Sequence, residues 1–204
     1  MTAVPAGAAR LRLTRLFWAS RRVPASVGVL AAVGVVLRIV LHWTPATGTY
    51  SVMFPLIVET AAASVVAVST RSPFGDPERA TGRWLPFLRL GTVILLTCLA
   101  FGALAAGAAG GHLVSGSLGL LRDVAGLTGV ALLTAALTGG SLSWMGPLAY
   151  LVLSIYAVQE GWTTPWLWPA RPPGDHGAAV CAALVFAAGA ALVAVRGARE
   201  TSRE

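Results

Sequence analysis

The stretch Leu90–Leu121, LGTVILLTCLAFGALAAGAAGGHLVSGSLGLL, decides the class of fold. None of its residues is Asp, Glu, Lys or Arg. Because about 20 apolar residues are enough for one helix to cross the hydrocarbon of a bilayer, the stretch is too long for a single span. Gly110, Gly111 and His112 interrupt it, and we predict that one membrane helix ends there and that the next begins shortly afterwards.

The rest of the chain has the same apolar character. Of its 204 residues, 56% are hydrophobic and 11% are charged, whereas a soluble domain has about 25% charged residues. The mean hydropathy is +0.74. We therefore predict an all-α, polytopic membrane protein with one transmembrane domain, residues 23–195, between tails at 1–22 and 196–204.

Six apolar runs are each close to the length of a membrane span. We interpret the first as a retained helix, because it is longer than the apolar part of a typical signal peptide and five further runs follow it. The six predicted spans are Val23–Trp43, Ser51–Thr70, Leu90–Gly110, Leu118–Gly139, Leu142–Val158 and Ala178–Val195.

The distribution of positive charge indicates an orientation. All fifteen basic residues are arginine, and twelve of them fall in the two tails or in the segment 71–89 between the second and third runs. With six spans these three segments share one side, and the positive-inside rule places that side in the cytoplasm. Arginine without lysine is typical of GC-rich bacterial genomes, so we predict a bacterial cell membrane with both termini inside. The net charge of +7 is then a topology signal, and we predict no binding to nucleic acid.

A proline-rich segment precedes the last run, on the side opposite the arginine-rich segments. Residues 161–177 contain four prolines, which fix φ and remove backbone donors, so we predict a short, stiff cap on the outer surface. Trp162, Trp166 and Trp168 belong to this segment. We predict that they lie at the membrane interface, where tryptophan is enriched.

Two segments on the predicted cytoplasmic side have the patterns of short helices. In RLRLTRLFWASRR, residues 10–22, leucines and arginines fall on opposite helical faces, which favours an amphipathic interfacial helix over a disordered basic tail. In DPERATG, Asp76 is a good N-cap, Pro77 suits the first helical position, and Glu78 complements the positive end of a helix. The alternative for this second segment is a polar loop that only holds the hairpin inside.

Two pairs of charged residues fall at membrane depth. Arg38 and Glu59 are expected at similar depths in the first two spans, and Arg122 and Asp123 lie near the outer start of the fourth. A charge at the centre of a membrane helix costs roughly 2.5–3.5 kcal/mol. We therefore interpret each pair either as the polar lining of a translocation path or as an ion pair that fixes helices together.

Signals for catalysis and for a bound metal are weak. The chain has no lysine and therefore no P-loop, and HExxH and GxSxG motifs are absent. His42, His112 and His176 fall near outer helix ends, but no carboxylate or second histidine accompanies any of them at ligand spacing. We predict no enzyme activity, no metal site and no cofactor in this chain, and a metal- or haem-binding membrane protein is the weakest alternative.

The layout, together with RSPFGDPERATGRWLPFLRLG at 71–91 and TPWLWPARPPGDHGAAVCAALVFAAGAALVAVRGARE at 164–200, resembles the permease subunits of ABC-2-type transporters. The resemblance implies a permease, and more specifically an exporter, that is driven by a separate ATPase subunit holding ATP and Mg²⁺. Six spans are half of such a transporter, so a second copy or a paralogous permease is implied as well. The alternative is a non-transporting membrane protein, a structural or immunity-like partner in a larger complex.

The same resemblance implies roles for the two cytoplasmic helices. Leu11–Arg22 would be the elbow helix, and residues 76–82 would be the coupling helix that docks on the ATPase. The residues implied in that contact are Asp76, Pro77, Glu78, Arg79 and Arg83.

Overall fold

The structure is a computed structural model that describes residues 23–43, 48, 50–70 and 85–196. Within these ranges the chain forms helices and the turns between them. They are α1 (Val23–Trp43), α2 (Tyr50–Ser69), α3 (Leu85–Ala108), α4 (Gly116–Thr138), α5 (Met145–Glu160), a 3-10 helix (Trp168–Ala170) and α6 (His176–Arg196). The predicted elbow helix, Leu11–Arg22, and the predicted coupling residues at 76–83 lie outside the described residues.

The predicted break in the long apolar stretch is confirmed. α3 ends at Ala108 and α4 begins at Gly116. Gly110 and Gly116 have φ angles of +81° and +61°, a backbone region that glycine enters without the steric cost of a Cβ atom. The start of α3 differs from the prediction, since the helix begins at Leu85 rather than at Leu90.

The helix α5 is shorter than the others in the described part of the chain. The other five α-helices are long and apolar enough to cross a membrane, whereas α5 has 16 residues and measures about 24 Å at 1.5 Å per residue. It begins at Met145 rather than at the predicted Leu142, because residues 139–144 form turns. Pro147 falls in its first turn, where a missing N–H breaks no helical hydrogen bond. The chain is thus all-α with five candidate membrane spans, as in a polytopic membrane protein.

Close glycine contacts show the relative directions of the helices. A Cβ atom built on Gly34 of α1 would lie 2.5 Å from the carbonyl oxygen of Ala103 in α3, and further along α1 Leu41 lies beside Gly111, which follows the end of α3. From the first contact to the second the residue numbers increase in both partners, so α1 and α3 are parallel. Glycine allows such backbone approaches because a larger residue would hold the two helices apart.

The helices α4 and α6 are also parallel. Gly129 of α4 packs against the backbone of Phe186, and three residues further along each helix Leu132 lies beside Gly189. The helix α5 runs in the opposite direction, because Gly146 at its start packs on Thr134 near the end of α4. The chain therefore returns along α5 before α6 begins.

Buried contacts between helices show which helix ends lie at the same end of the bundle. A buried apolar cluster joins Ala67 near the end of α2, Val93 near the start of α3, and Val193 near the end of α6. Since α1 is parallel to α3, the start of α1 belongs with them. We call this the terminal end; it holds Val23, Ser69, Leu85, Thr138 and Arg196. The opposite, or cavity, end holds Trp43, Tyr50, Ala108, Gly116, Glu160 and His176.

The helix α4 lies at the centre of the bundle. Of its most apolar 18 residues, 61% are buried, against 17% for α1. Several hydroxyl side chains of the bundle donate within their own helices; Thr60 donates to the carbonyl of Leu56 at 2.7 Å, and Thr134 donates to that of Val130 at 2.8 Å. Such bonds remove the cost of an unpaired hydroxyl in an apolar interior.

Candidate functional site

A cavity of about 280 Å³ lies at the cavity end of the bundle. It is enclosed by the first half of α2, the first third of α4, the end of α5, the α3–α4 turn and the proline-rich segment after α5. Its walls combine apolar and charged side chains. The lining residues are Ser51, Val52, Pro55, Leu56, Glu59, Leu113, Val114, Ser115, Arg122, Asp123, Ala157, Val158, Gly161, Pro169, Ala170, Arg171, Pro172 and Pro173.

Arg122 and Asp123 form a buried ion pair on α4. The guanidinium Nε of Arg122 donates to Asp123 Oδ1 at 2.9 Å, although the two residues are consecutive. The other guanidinium nitrogens donate to the carbonyl oxygens of Pro172 at 2.9 Å and of Arg171 at 3.3 Å. One side chain therefore neutralises a buried carboxylate and also holds the proline-rich segment over the bundle.

Glu59 reaches the same cavity from α2. It lies nine residues into the helix, or about 14 Å along its axis, and only 2% of its surface is exposed. Its Oε2 atom has no hydrogen-bond partner among the described residues. Buried carboxylates are ordinarily paired or hydrogen-bonded, so an orphaned oxygen beside a cavity marks this residue as a candidate for function.

The structure does not bring Arg38 to Glu59. Arg38 donates to the carbonyl oxygen of Ala109 at 3.2 Å and so satisfies a carbonyl just after the end of α3. Glu59 faces the cavity with Arg122 and Asp123 instead. An ion pair between Arg38 and Glu59 was one of the two interpretations of these charges, and it is not formed: Arg38 is exposed and donates to the backbone after α3, whereas Glu59 is buried.

The helix α2 contains a proline at the level of the cavity. Pro55 lies inside the helix and has no N–H to donate to the carbonyl of Ser51, one turn earlier. Both residues line the cavity. Besides the carboxylate of Glu59, the cavity wall therefore contains a backbone carbonyl, that of Ser51, without its usual helical donor. Pro55 was not among the candidate residues predicted from the sequence.

The proline-rich segment enters the bundle instead of lying flat on it. Trp162 and Trp166 are 40% and 46% exposed, whereas Trp168 is 2% exposed. Its indole stacks on the ring of Tyr150 with centroids 4.6 Å apart, and it occupies space left by Gly126, where a Cβ atom would lie 2.5 Å from the indole. The hydroxyl of Tyr150 donates to the carbonyl of Trp166 at 2.7 Å.

Asp175 joins this segment to α6. Its Oδ1 accepts from the backbone N–H of Ala178 at 3.1 Å, which is the geometry of an N-cap, and its other oxygen pairs with the guanidinium of Arg171. The bond from Ala178, together with Arg171, lowers the pKa of Asp175 below its usual value. The guanidinium of Arg171 is thereby held away from the carboxylates of the cavity.

Replacing Asp175 with alanine is expected to lower the thermal midpoint of the purified protein, and Asp175→Asn is expected to lower it less, because asparagine keeps the cap. A lowered pKa stabilises the fold above the unfolded value near 3.9 and loses this effect as the pH falls through the folded value. Melting curves between pH 3 and pH 8 should therefore show the wild-type advantage over Asp175→Asn shrinking only at the acidic end. A difference in thermal midpoint between wild type and Asp175→Asn that is as large at pH 3 as at pH 8 would contradict this account.

The histidines and the coupling residues stand apart from the cavity. In the described ranges, no three His, Cys, Asp or Glu side chains are grouped closely enough to hold a metal ion. His42, His112 and His176 are not part of the cavity lining. Asp76, Pro77, Glu78, Arg79 and Arg83 lie in the part of the chain that is not described.

No protein-family model matches the chain, and no curated protein or solved structure is significantly similar to it. Its function is therefore inferred from its residues and their geometry. The cavity has the features of a small-molecule site, because it is concave and mostly apolar with a few convergent polar groups.

Proposed function

We propose that the chain is the permease subunit of an ABC transporter, and more specifically of an exporter, in a bacterial cell membrane. In this proposal α5 is a sixth, short span, and both termini are cytoplasmic. The observation that supports this proposal most directly is that three arginine-rich segments join the helices at the same end of the bundle. The arginine-rich tails and the segment 71–84 all join the described helices at the terminal end, through Val23, Arg196 and the pair Thr70 and Leu85.

Charge at this end supports the proposed orientation. Nine of the fifteen arginines precede Val23 or fall within 71–89, and three more fall at or after Arg196. A surface with so much positive charge is expected on the cytoplasmic side. It would also display the segment 76–82 to a soluble ATPase, which would bind ATP and Mg²⁺, so that this chain itself would catalyse no reaction.

The cavity supports a role in transport. Ionisable residues inside membrane helices are costly and commonly mark substrate paths, and here two carboxylates and a guanidinium line one concave space. A proline within α2 at the same level is a further feature of helices that line binding sites in transporters. A second copy or a paralogous permease would complete the transporter, and lipid would cover the outward apolar faces.

Affinity purification of the full chain from its native membrane in mild detergent should recover an ATPase with a P-loop, identified by mass spectrometry. Exchanging the charges of one adjacent pair, as Glu78→Arg with Arg79→Glu, is expected to reduce the recovered ATPase roughly fivefold or more. Each exposed ion pair at such a contact contributes up to about 1 kcal/mol.

The chain offers a matched control for this experiment. Arg199→Glu with Glu200→Arg makes the same exchange in the C-terminal tail and should leave ATPase recovery unchanged. Equal losses in the two double variants would mean that general surface charge governs association. Failure of the wild-type chain to recover any P-loop ATPase would reject the permease proposal in favour of a non-transporting membrane partner.

A further inference from the structure

The charges around the cavity leave one carboxylate without a counter-charge within the described residues. Four charged residues line it, namely Glu59, Asp123, Arg122 and Arg171. Arg171 is paired with Asp175 outside the cavity, so the two guanidinium groups face three carboxylates in all. Counted with Asp175, the group has a net charge of −1 when every acid is ionised.

The missing counter-charge belongs to Glu59. Arg122 donates from Nε to Asp123 and from each terminal nitrogen to a backbone carbonyl, and none of these three hydrogen bonds reaches Glu59. In contrast, Glu59 Oε2 accepts no hydrogen bond from any described residue, while 98% of the surface of Glu59 is buried. An ionised carboxylate in such a position is energetically costly unless a positively charged hydrogen-bond donor pairs with it.

The volume of the cavity indicates how large that donor is. The cavity volume of about 280 Å³ is several times the roughly 30 Å³ that one water molecule occupies in the liquid. A bare metal ion would leave most of this space unfilled, and Ca²⁺ or Mg²⁺ would require six or more oxygen ligands. Most of the wall is apolar, with Val52, Leu56, Leu113 and Ala157 among the lining residues. The space therefore suits a molecule with a charged head and an apolar body.

We propose that this cavity binds a small organic cation, a primary ammonium carried on an apolar body. The ammonium donates to Glu59 Oε2, which has no other hydrogen-bond partner among the described residues. The apolar body packs on the walls formed by α2, α5 and the proline-rich segment. The site does not depend on an ATPase; where the proposed transport function holds, this cation is the class of substrate transported.

The test compares two probes of similar shape, cyclohexylammonium chloride and cyclohexanol, by calorimetric titration of the purified full-length chain in detergent. The wild type is expected to bind the ammonium at least about tenfold more tightly than the alcohol, because charge-assisted hydrogen bonds are the stronger ones. Glu59→Gln should lose most of this preference. Glu160→Gln makes the same chemical change at an exposed position of the same bundle end and should keep it.

The wild-type comparison is decisive by itself, so the proposal can be refuted even if Glu59→Gln does not fold. Equal binding of the two probes, or no binding of either, would refute the proposal. Retention of the preference in Glu59→Gln would place the ammonium elsewhere. None of these measurements involves the ATPase, so a failure of the cation-site proposal can be distinguished from a failure of the permease proposal.

Discussion

Replacing Arg122 with methionine is expected to lower the free energy of unfolding by about 3–5 kcal/mol, the usual cost of removing one partner of a buried ion pair. Methionine fills a similar length but donates no hydrogen bond. Asp123 would then be a buried carboxylate without its cation, and the carbonyls of Arg171 and Pro172 would lose their donor. Unfolding in mixed detergent micelles, followed by tryptophan fluorescence, would measure the change.

The double variant Arg122→Met with Asp123→Asn separates the two parts of this loss. Removing both charges eliminates the unpaired carboxylate, so we expect the double variant to be more stable than Arg122→Met alone. The remaining deficit would report the lost attachment of the proline-rich segment. If the double variant were as unstable as the sum of the two single variants, the ion pair would contribute nothing specific.

Gly129→Ala is expected to destabilise the bundle by about 3 kcal/mol, the upper end of the usual range for an overpacked interior. The added Cβ would lie 2.5 Å from the backbone nitrogen of Phe186. A backbone atom of a packed helix cannot rotate away as a side chain can, so α4 and α6 would have to separate. The same unfolding measurement applies.

Gly102→Ala is the matched control for this substitution. It lies within α3, and a Cβ atom built there would meet no atom within 4 Å. Alanine is favoured over glycine inside a helix by about 1 kcal/mol, so this variant should be equal to or slightly more stable than the wild type. Comparable destabilisation by both substitutions would contradict the close packing of α4 on α6.

Features that depend on local sequence were predicted well. The apolar runs indicated the helices, and Gly110 and Gly111 located the break between α3 and α4. Residue spacing gives depth along a helix, but it does not give the rotation of that helix about its axis. An ion pair between Arg38 and Glu59 was therefore one of two interpretations from the sequence, whereas Glu59 lines the cavity together with Arg122 and Asp123 of α4.

The burial of Trp168 could not be predicted for a related reason. Its position depends on a gap over Gly126 and on the ring of Tyr150, which are distant in sequence. A tryptophan between prolines near a predicted membrane surface fits an interfacial belt equally well by composition. Gly126 in an otherwise ordinary apolar run was the only local signal, and glycine in a membrane helix has many uses.

The shortness of α5 bears on the surrounding lipid. Its outward face shows Leu148, Val152 and Tyr156 in a continuous apolar stripe, with exposed Trp144 and Trp162 beyond its two ends. A helix of about 24 Å is some 6 Å shorter than the hydrocarbon of a typical bilayer. With α5 as the proposed sixth span, lipids beside it should compress to match, because exposing apolar side chains to water costs more than thinning the bilayer by a few ångströms. The membrane is therefore expected to be thinnest along the flank of the bundle where α5 meets the cavity.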